Sequence, residues 1–184
     1  MNKNKAFLLA LPAIGAAFLA VLSQLSFSIG TIPITLQTFA VGLIATIFKT
    51  REAVLSVLLY LLLGAIGLPV FAGGSGGVQA LFGPSAGYLW AYLLFALVTS
   101  SLTSKDSKFY TIFLANLLGD TLVFVGGVIG LHFLANMDFS KAIAVGVTPF
   151  ILPDLLKIVA ITIISIPIFR SLAFHPYFSD NKNG

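Results

Sequence analysis

Asp154 and Lys157 are the residues best placed to do chemistry in this sequence. They stand three positions apart, so on a helix a carboxylate and an ammonium share one face. Both fall in a strongly apolar run opened by Pro149-Phe150-Ile151-Leu152-Pro153. Pro153 suits a first helical turn, where no amide donor is needed. Asp154 then lies at the positive end of the helix dipole, where a carboxylate is favoured. A charge within a bilayer costs several kcal/mol or more, roughly, so such residues pair or line a cavity. Two readings follow: a self-neutralising structural pair, or a site for a polar ligand. In the second the carboxylate accepts from N–H groups and the ammonium holds an anionic end.

Other polar residues are sparse. Asp120, with Asn116 one turn before it, lies deep in the longest apolar run, and fits either an interhelical hydrogen-bond network or a ligand or ion site. Gln79 and Tyr88 are amphipathic binding candidates, with simple loop packing as the alternative, and Trp90 and Tyr92 read as members of an interfacial aromatic belt. His132 and His175 have no metal-ligand spacing, so no metal site is expected. The run Gly73–Gly77 lacks the Gly-Lys-Ser/Thr of a phosphate loop, so nucleotide is not expected there. No Ser/His/Asp set, HExxH or carboxylate pair within one segment indicates an enzyme.

The elements that must hold these residues are membrane helices. The chain has 184 residues, 58% of them hydrophobic and only 9% charged, against about 25% charged in a soluble domain. Its mean hydropathy is +1.05. At about 20 residues per crossing, this length allows roughly five to seven spans. One membrane-embedded domain, 1–184, is expected, with 174–184 as a frayed tail. Cysteine is absent, which excludes disulfides and thiolate chemistry. The net charge of +4 speaks for membrane orientation and not for nucleic acid. The start, Met1-Asn2-Lys3-Asn4-Lys5 before an apolar run, superficially resembles a signal peptide; without a convincing cleavage region it reads as the first helix of the mature protein.

The expected spans run over about 6–25, 36–48, 53–66, 88–102, 109–134 and from Pro149–Asp154 to near Arg170. Residues 26–35 form the first loop, and the second span is short for a full crossing. Ala6, Ala10, Ala13, Ala17 and Ala20 make one stripe on the first helix, extended by Gln24, and small residues at such spacing admit a close helix neighbour. That neighbour is either within the chain or a partner. Six spans place both termini on one side. Lys3, Lys5, Lys49, Arg51, Lys105, Lys108, Arg170 and Lys182 then share the terminal side, against Lys141 alone opposite. This bias predicts an N-in/C-in, all-α, multi-pass protein of the cell membrane.

Residues 67–88 break the helical pattern with seven glycines and two prolines. Irregular backbone beside a bilayer survives where it packs in protein or lines a wet cavity. The charge bias puts this stretch on the outer side, joining the third and fourth spans, together with the loop before Gln37 and the start of the sixth span. A binding site on that face is the expectation.

Four segments carry a resemblance: Ile32-Pro33-Ile34-Thr35-Leu36-Gln37-Thr38, the run from Leu58 through Gly67-Leu68-Pro69-Val70-Phe71 to Gly77, Phe82-Gly83-Pro84-Ser85-Ala86-Gly87-Tyr88, and Pro149 to Lys157. Together they resemble the BioY family, the biotin-specific S components of energy-coupling factor (ECF) transporters. The family usually has Gly-Pro-Thr-Gly-Gly-Tyr where this chain has Gly83 to Tyr88. The resemblance implies six helices that capture biotin from outside without a cofactor. It also implies docking on a transmembrane coupling protein driven by two cytoplasmic ATPases. Ala13/Ala17 or Ala16/Ala20 would supply the family's docking face. The ureido ring of biotin would match Asp154 with Gln37 or Gln79, its carboxylate Lys157, and its ring and alkyl tail Val70, Phe71 and Tyr88. Gly73, Gly74 and Gly83 would belong to a glycine-rich lid and wall. The alternatives are a standalone channel or facilitator, or an S component for another vitamin.

Overall fold

A computed structural model describes residues 3–27, 32–172, 175 and 177, with side chains from Leu8 onward. Seven α-helices account for most of the described chain: α1 Lys3–Ser23, α2 Gln37–Ile47, α3 Thr50–Ala65, α4 Ala86–Leu102, α5 Phe109–Leu134, α6 Phe139–Gly146 and α7 Ile151–Leu172. α5 and α7 are long and apolar enough to cross a bilayer. α2 has 11 residues, or about 16 Å of helix, well short of the roughly 30 Å hydrocarbon layer.

Two features depart from the expected loops. Ser26–Phe27 (β1) and Ile34–Thr35 (β2) pair antiparallel, so the segment before α2 is held against the end of α1. Residues 139–146 are helical; eight residues with Lys141 among them lack the long apolar run by which the other helices are recognised. The glycine-rich stretch contains two short 3₁₀ turns, Ala72–Gly74 and Val78–Leu81.

Polarity is arranged opposite to that of a water-soluble bundle. α5 buries Asn116, Gly119 and Asp120 while Leu114, Leu118, Val125 and Ile129 face outward. α7 buries Asp154, Thr162 and Ser165 and exposes Leu156 and Ile163. A continuous apolar exterior of this extent marks a surface that does not face water. Inside, most hydroxyls of the helices return to the carbonyl one turn back, as Thr46 does to Gly42 and Thr162 to Ile158. Asn116 extends from α5 to α2, donating to Thr46 Oγ1 at 2.9 Å. That interhelical bond is one of the two roles its sequence position allows.

The tightest helix pair is α4 with α5. A Cβ added at Gly87 would lie 2.1 Å from the Gly126 carbonyl oxygen and 3.0 Å from Gly130 Cα. The backbones themselves are in contact there, so no side-chain rotation can make room. α2 packs on α4 and α7, and α3 on α1 and α4. At the opposite end from the glycine-rich stretch, Tyr177 is buried and closes over the α2–α3 corner. Its hydroxyl accepts from the Lys49 N–H at 2.7 Å and donates to Glu52 at 3.1 Å. The remainder of the expected frayed tail, apart from His175, lies outside the described residues.

Gly87→Ala therefore forces α4 and α5 apart. It is expected to cost about 1–3 kcal/mol, read as a lower thermal midpoint of detergent-purified protein, whereas Ala at the half-buried Gly83, with no atom closer than 3.5 Å to its added Cβ, leaves the midpoint near wild type.

Candidate functional site

A cavity of about 260 Å³ opens where α2, α4, α5 and α7 meet the irregular segments. That is near the lower end of the roughly 300–1,000 Å³ usual for small-molecule sites. Its walls are mainly apolar and aromatic: Ile32, Phe71, Tyr88, Leu89, Phe124 and Phe150. Most of its polar residues form one cluster, where Thr35, Gln37, Thr38, Tyr92, Asp154 and Lys157 converge from β2, α2, α4 and α7; Ser75 and Ser85 also line it.

Lys157 is the hub of that side. Its Nζ donates to the Thr35 carbonyl at 2.6 Å, to Thr38 Oγ1 at 3.0 Å and to Asp154 Oδ1 at 2.5 Å. An ammonium has three donors, and all three are engaged. Asp154 Oδ1 also accepts from Thr38 Oγ1 at 3.1 Å. Oδ2 accepts nothing from any described residue, so a cavity-lining carboxylate keeps a full acceptor in reserve. The pair is electrically neutral as a unit, which is how two charges persist in so apolar a place.

Gln37 is fixed just as firmly. Its Nε2 donates to Tyr60 Oη at 2.6 Å. Its Oε1 accepts from Tyr92 Oη at 3.2 Å and Thr35 Oγ1 at 3.0 Å. The amide orientation is thus set from both ends. Tyr88 Oη donates to the Gly146 carbonyl at 2.8 Å, so that ring is a wall anchored to α6. At the start of α4, Ser85 is the N-cap residue, lines the cavity and makes no side-chain cap bond.

A family model described as the BioY family matches residues 1–174. The chain belongs to the BioY family. "Biotin transporter BioY2" of Lactococcus lactis subsp. cremoris is 42% identical over 182 residues, covering 98% of this chain and 100% of that protein. "Biotin transporter BioY" of Thermotoga maritima is 39% identical over 150 residues, covering 82% and 88%. The fold matches the crystal structure of the S-component for biotin from an ECF-type ABC transporter with a TM-score of 0.88, at 28% identity over 97% of this chain and 98% of that one. With its apolar exterior, this BioY-family chain is a membrane protein with the all-helical fold of an ECF S component.

The cavity of this BioY-family chain gathers five of the sequence candidates: Gln37, Phe71, Tyr88, Asp154 and Lys157. Six others lie off it. Val70 turns its carbonyl to Ser23. Gln79 is exposed and its amide donates back to the Gly76 carbonyl. Gly73 and Gly74 have φ of +66° and +73°, a left-handed backbone that glycine adopts without strain; they reverse the chain so that Phe71 N–H bonds the Ser75 carbonyl at 2.9 Å. Gly83 sits in the turn before α4. Asp120 is buried but does not line the cavity, and forms no hydrogen bond or ion pair with a described residue.

Sequence reasoning misplaced Tyr92. It is only 4% exposed and bonds Gln37 inside the cavity, not at an interface; α4 turns Trp90 outward and Tyr92 inward, and composition alone does not distinguish those faces. Thr35 and Thr38 were also missed. They stand two residues before and one after Gln37, but their bonds to Lys157 reach across 122 and 119 residues, so no local signal marks them.

Lys157→Met leaves the Asp154 carboxylate without its ion partner in an apolar site, a change expected to cost about 3–5 kcal/mol. Adding Asp154→Asn to it is expected to recover most of that loss. Thermal midpoints of the two singles and the double, without ligand, measure the coupling; strictly additive losses would contradict the pairing.

Proposed function

We propose that this chain is the biotin-capturing S component of an ECF-type uptake transporter, and that biotin binds in the cavity over Asp154 and Lys157. The observation that carries this reading is the neutral Asp154–Lys157 pair with its spare Oδ2 acceptor, set at one side of an otherwise aromatic cavity. Biotin has the matching parts: a ureido group with two N–H donors and a carbonyl, an apolar thiophane ring and alkyl chain, and a terminal carboxylate.

The geometry favours one direction of binding. The ureido ring is uncharged, so placing it on the ion pair keeps the site neutral, with an N–H donated to Asp154 Oδ2. Placing the carboxylate there would add a second anion beside Asp154 and displace a partner from a fully engaged Lys157. The carboxylate instead fits the start of α4, where the Ser85 hydroxyl is available and the helix dipole favours an anion. The ring and alkyl chain then pack on Phe71, Tyr88 and Leu89. This arrangement moves the carboxylate from Lys157, where the sequence reading put it, to the start of α4.

The topology in this proposal is six crossings in the plasma membrane with both termini cytoplasmic. α6 lies at the outer surface and the glycine-rich stretch covers the site from outside. The support is the distribution of Lys and Arg and the apolar exterior. Transport relies on the transmembrane coupling protein and its ATPases. On α1, Ala13 and Ala17 are exposed while Ala16 is packed into the core at 1% exposure. The Ala13–Ala17 face is therefore the one open to that partner.

Calorimetric titration of the purified chain with biotin, riboflavin and thiamine tests the substrate. Biotin is expected to bind without ATP and the other two not; binding of another vitamin in its place would overturn the substrate. Asp154→Asn is expected to weaken biotin at least about ten-fold, the scale of a lost charge-assisted hydrogen bond. The amide of biotin's carboxyl group is expected to keep its response to Asp154→Asn, because the altered end lies away from the pair.

The absence of cysteine in this chain makes the topology directly testable. In intact cells a membrane-impermeant maleimide is expected to label Ser140→Cys and to spare Asp106→Cys until the cells are opened. The reverse pattern would invert the orientation.

A further inference from the structure

The end of α1 is bound to the cavity wall through side chains that no part of the site description uses. Three consecutive carbonyls of the glycine-rich stretch, those of Pro69, Val70 and Phe71, face Ser23 and Gln24. Gln24 Nε2 donates to the Pro69 carbonyl at 3.2 Å and the Phe71 carbonyl at 3.3 Å. Its two N–H groups are shared between these carbonyls and two nearer oxygens at its own helix end, the Ala20 carbonyl at 3.1 Å and Ser23 Oγ at 2.9 Å. Ser23 Oγ, whose single proton is shared with the Ala20 carbonyl of its own helix at 2.6 Å, donates to the Val70 carbonyl. These carbonyls belong to the residues on which Phe71 is hung. The Phe71 ring is 2% exposed, lines the cavity, and meets Tyr60 edge-on with ring centres 5.3 Å apart. Tyr60 in turn holds the Gln37 amide.

We infer that Ser23 and Gln24 are positioning residues for the binding cavity: they clasp the 69–71 backbone and so hold the Phe71 wall closed over the bound ligand. The inference rests on the biotin reading above for its ligand. The alternative is that the two side chains merely cap α1. A cap needs bonds to carbonyls of its own helix, and it does not explain why the donors also reach 45 and 47 residues along the chain. The stretch they hold needs an external tie. Gly73 and Gly74 turn it back through a left-handed backbone, and its backbone bonds are few: Val70 N–H to the Leu68 carbonyl, Phe71 N–H to the Ser75 carbonyl, the 3₁₀ contacts around it, and one bond to α3 from Gly77 N–H to the Gly64 carbonyl. Segments with so few bonds open readily unless something outside them adds more.

The chemistry of the clasp is one-sided, because every group it meets is a carbonyl or hydroxyl oxygen. A donor at position 24 is required, and an acceptor there is repelled. Gln24→Glu is nearly isosteric and removes the donor, whereas Gln24→Lys keeps donors at similar reach. Labelled biotin is bound to the full-length chain in detergent and chased with unlabelled biotin. The dissociation rate is expected to rise at least about ten-fold in Gln24→Glu, with the association rate within about three-fold of wild type, because a wall that opens more often mostly shortens residence. Gln24→Lys is expected to stay within about three-fold of wild type, and Ser23→Ala to fall between. The indole of Trp90, the sole tryptophan, donates to the Leu81 carbonyl in the same stretch at 3.1 Å, and its emission gives a second readout of the wall in each variant. A dissociation rate in Gln24→Glu equal to wild type, or a rise shared equally by Gln24→Lys, overturns the clasp. If wild type binds no biotin, the ligand assignment fails and the clasp is decided separately. Amide hydrogen exchange at Phe71 and Gly77 in the ligand-free chain must then quicken in Gln24→Glu and not in Gln24→Lys, and unchanged exchange overturns it.

Discussion

The ammonium of Lys157 is the tie on which the cavity depends. It joins three pieces of chain at one point: the Thr35 carbonyl at the end of β2, the Thr38 hydroxyl in the first turn of α2, and Asp154 in the first turn of α7. α2 is too short to be positioned by length alone, and its start lies beside irregular backbone. Within an apolar surround, a hydrogen-bonded ion pair is far stronger than the same pair at a wet surface, and the loss of either member is correspondingly expensive. The pair thus sets the distance between α2 and α7 at the end where the ligand cavity opens. Its neutrality also dictates what can be added: an uncharged polar group fits without disturbing the balance.

From that tie the remaining polar groups follow in order. Thr35 bonds Gln37 through both its hydroxyl and the Gln37 N–H, so fixing Thr35 fixes the amide. Gln37 then orders Tyr60 on α3 and Tyr92 on α4. Tyr60 carries Phe71 on its ring edge, and Phe71 is reached from the other side by the end of α1. α1, α2, α3, α4 and α7 are thereby joined through side chains of fixed orientation. The bulk of the interior is hydrocarbon, and dispersion and shape fill the space between these few directional bonds. Gly87 and Gly126 add the opposite device, bare backbone contact, where α4 and α5 must close behind the cavity.

Much of this was legible in the sequence because the bilayer imposes a strong pattern. α5 begins and ends at Phe109 and Leu134, where its apolar run does, and α4 starts two residues before the expected Tyr88 because Ser85 and Ala86 can already turn into helix. Asp154 and Lys157 were legible as a pair because an i, i+3 spacing inside an apolar run leaves few alternatives. α6 was not legible: eight amphipathic residues give too short a signal. Neither was the facing of Tyr92, since a helix buried on one side and exposed on the other carries aromatic residues on both. Gln79 illustrates the converse error. A polar side chain in a glycine-rich loop looks like a ligand contact, yet it bonds its own turn, as amides in tight turns commonly do. Long-range partners, such as the Thr35 carbonyl for Lys157, lie 122 residues apart and have no local signature.

Three of the irregular segments share one location, and the reason is the backbone itself. Inside a regular helix every N–H and C=O is spent on its own ladder, so a wall made only of helices offers a ligand nothing but side chains. Where the ladder stops, backbone groups and their flanking residues become available, and the cost of stopping must be met by other partners. In this chain the stops at 32–36, 67–85 and 147–150 all border one cavity, which takes Ile32, Pro33 and Thr35 from the first, Phe71, Ser75, Ala80 and Ser85 from the second and Phe150 from the third. The carbonyl of Thr35 is met by Lys157, and those of Pro69, Val70 and Phe71 by Ser23 and Gln24. The residues that answer the broken backbone are therefore also the residues that shape the cavity, and a sequence change at either would be felt at both.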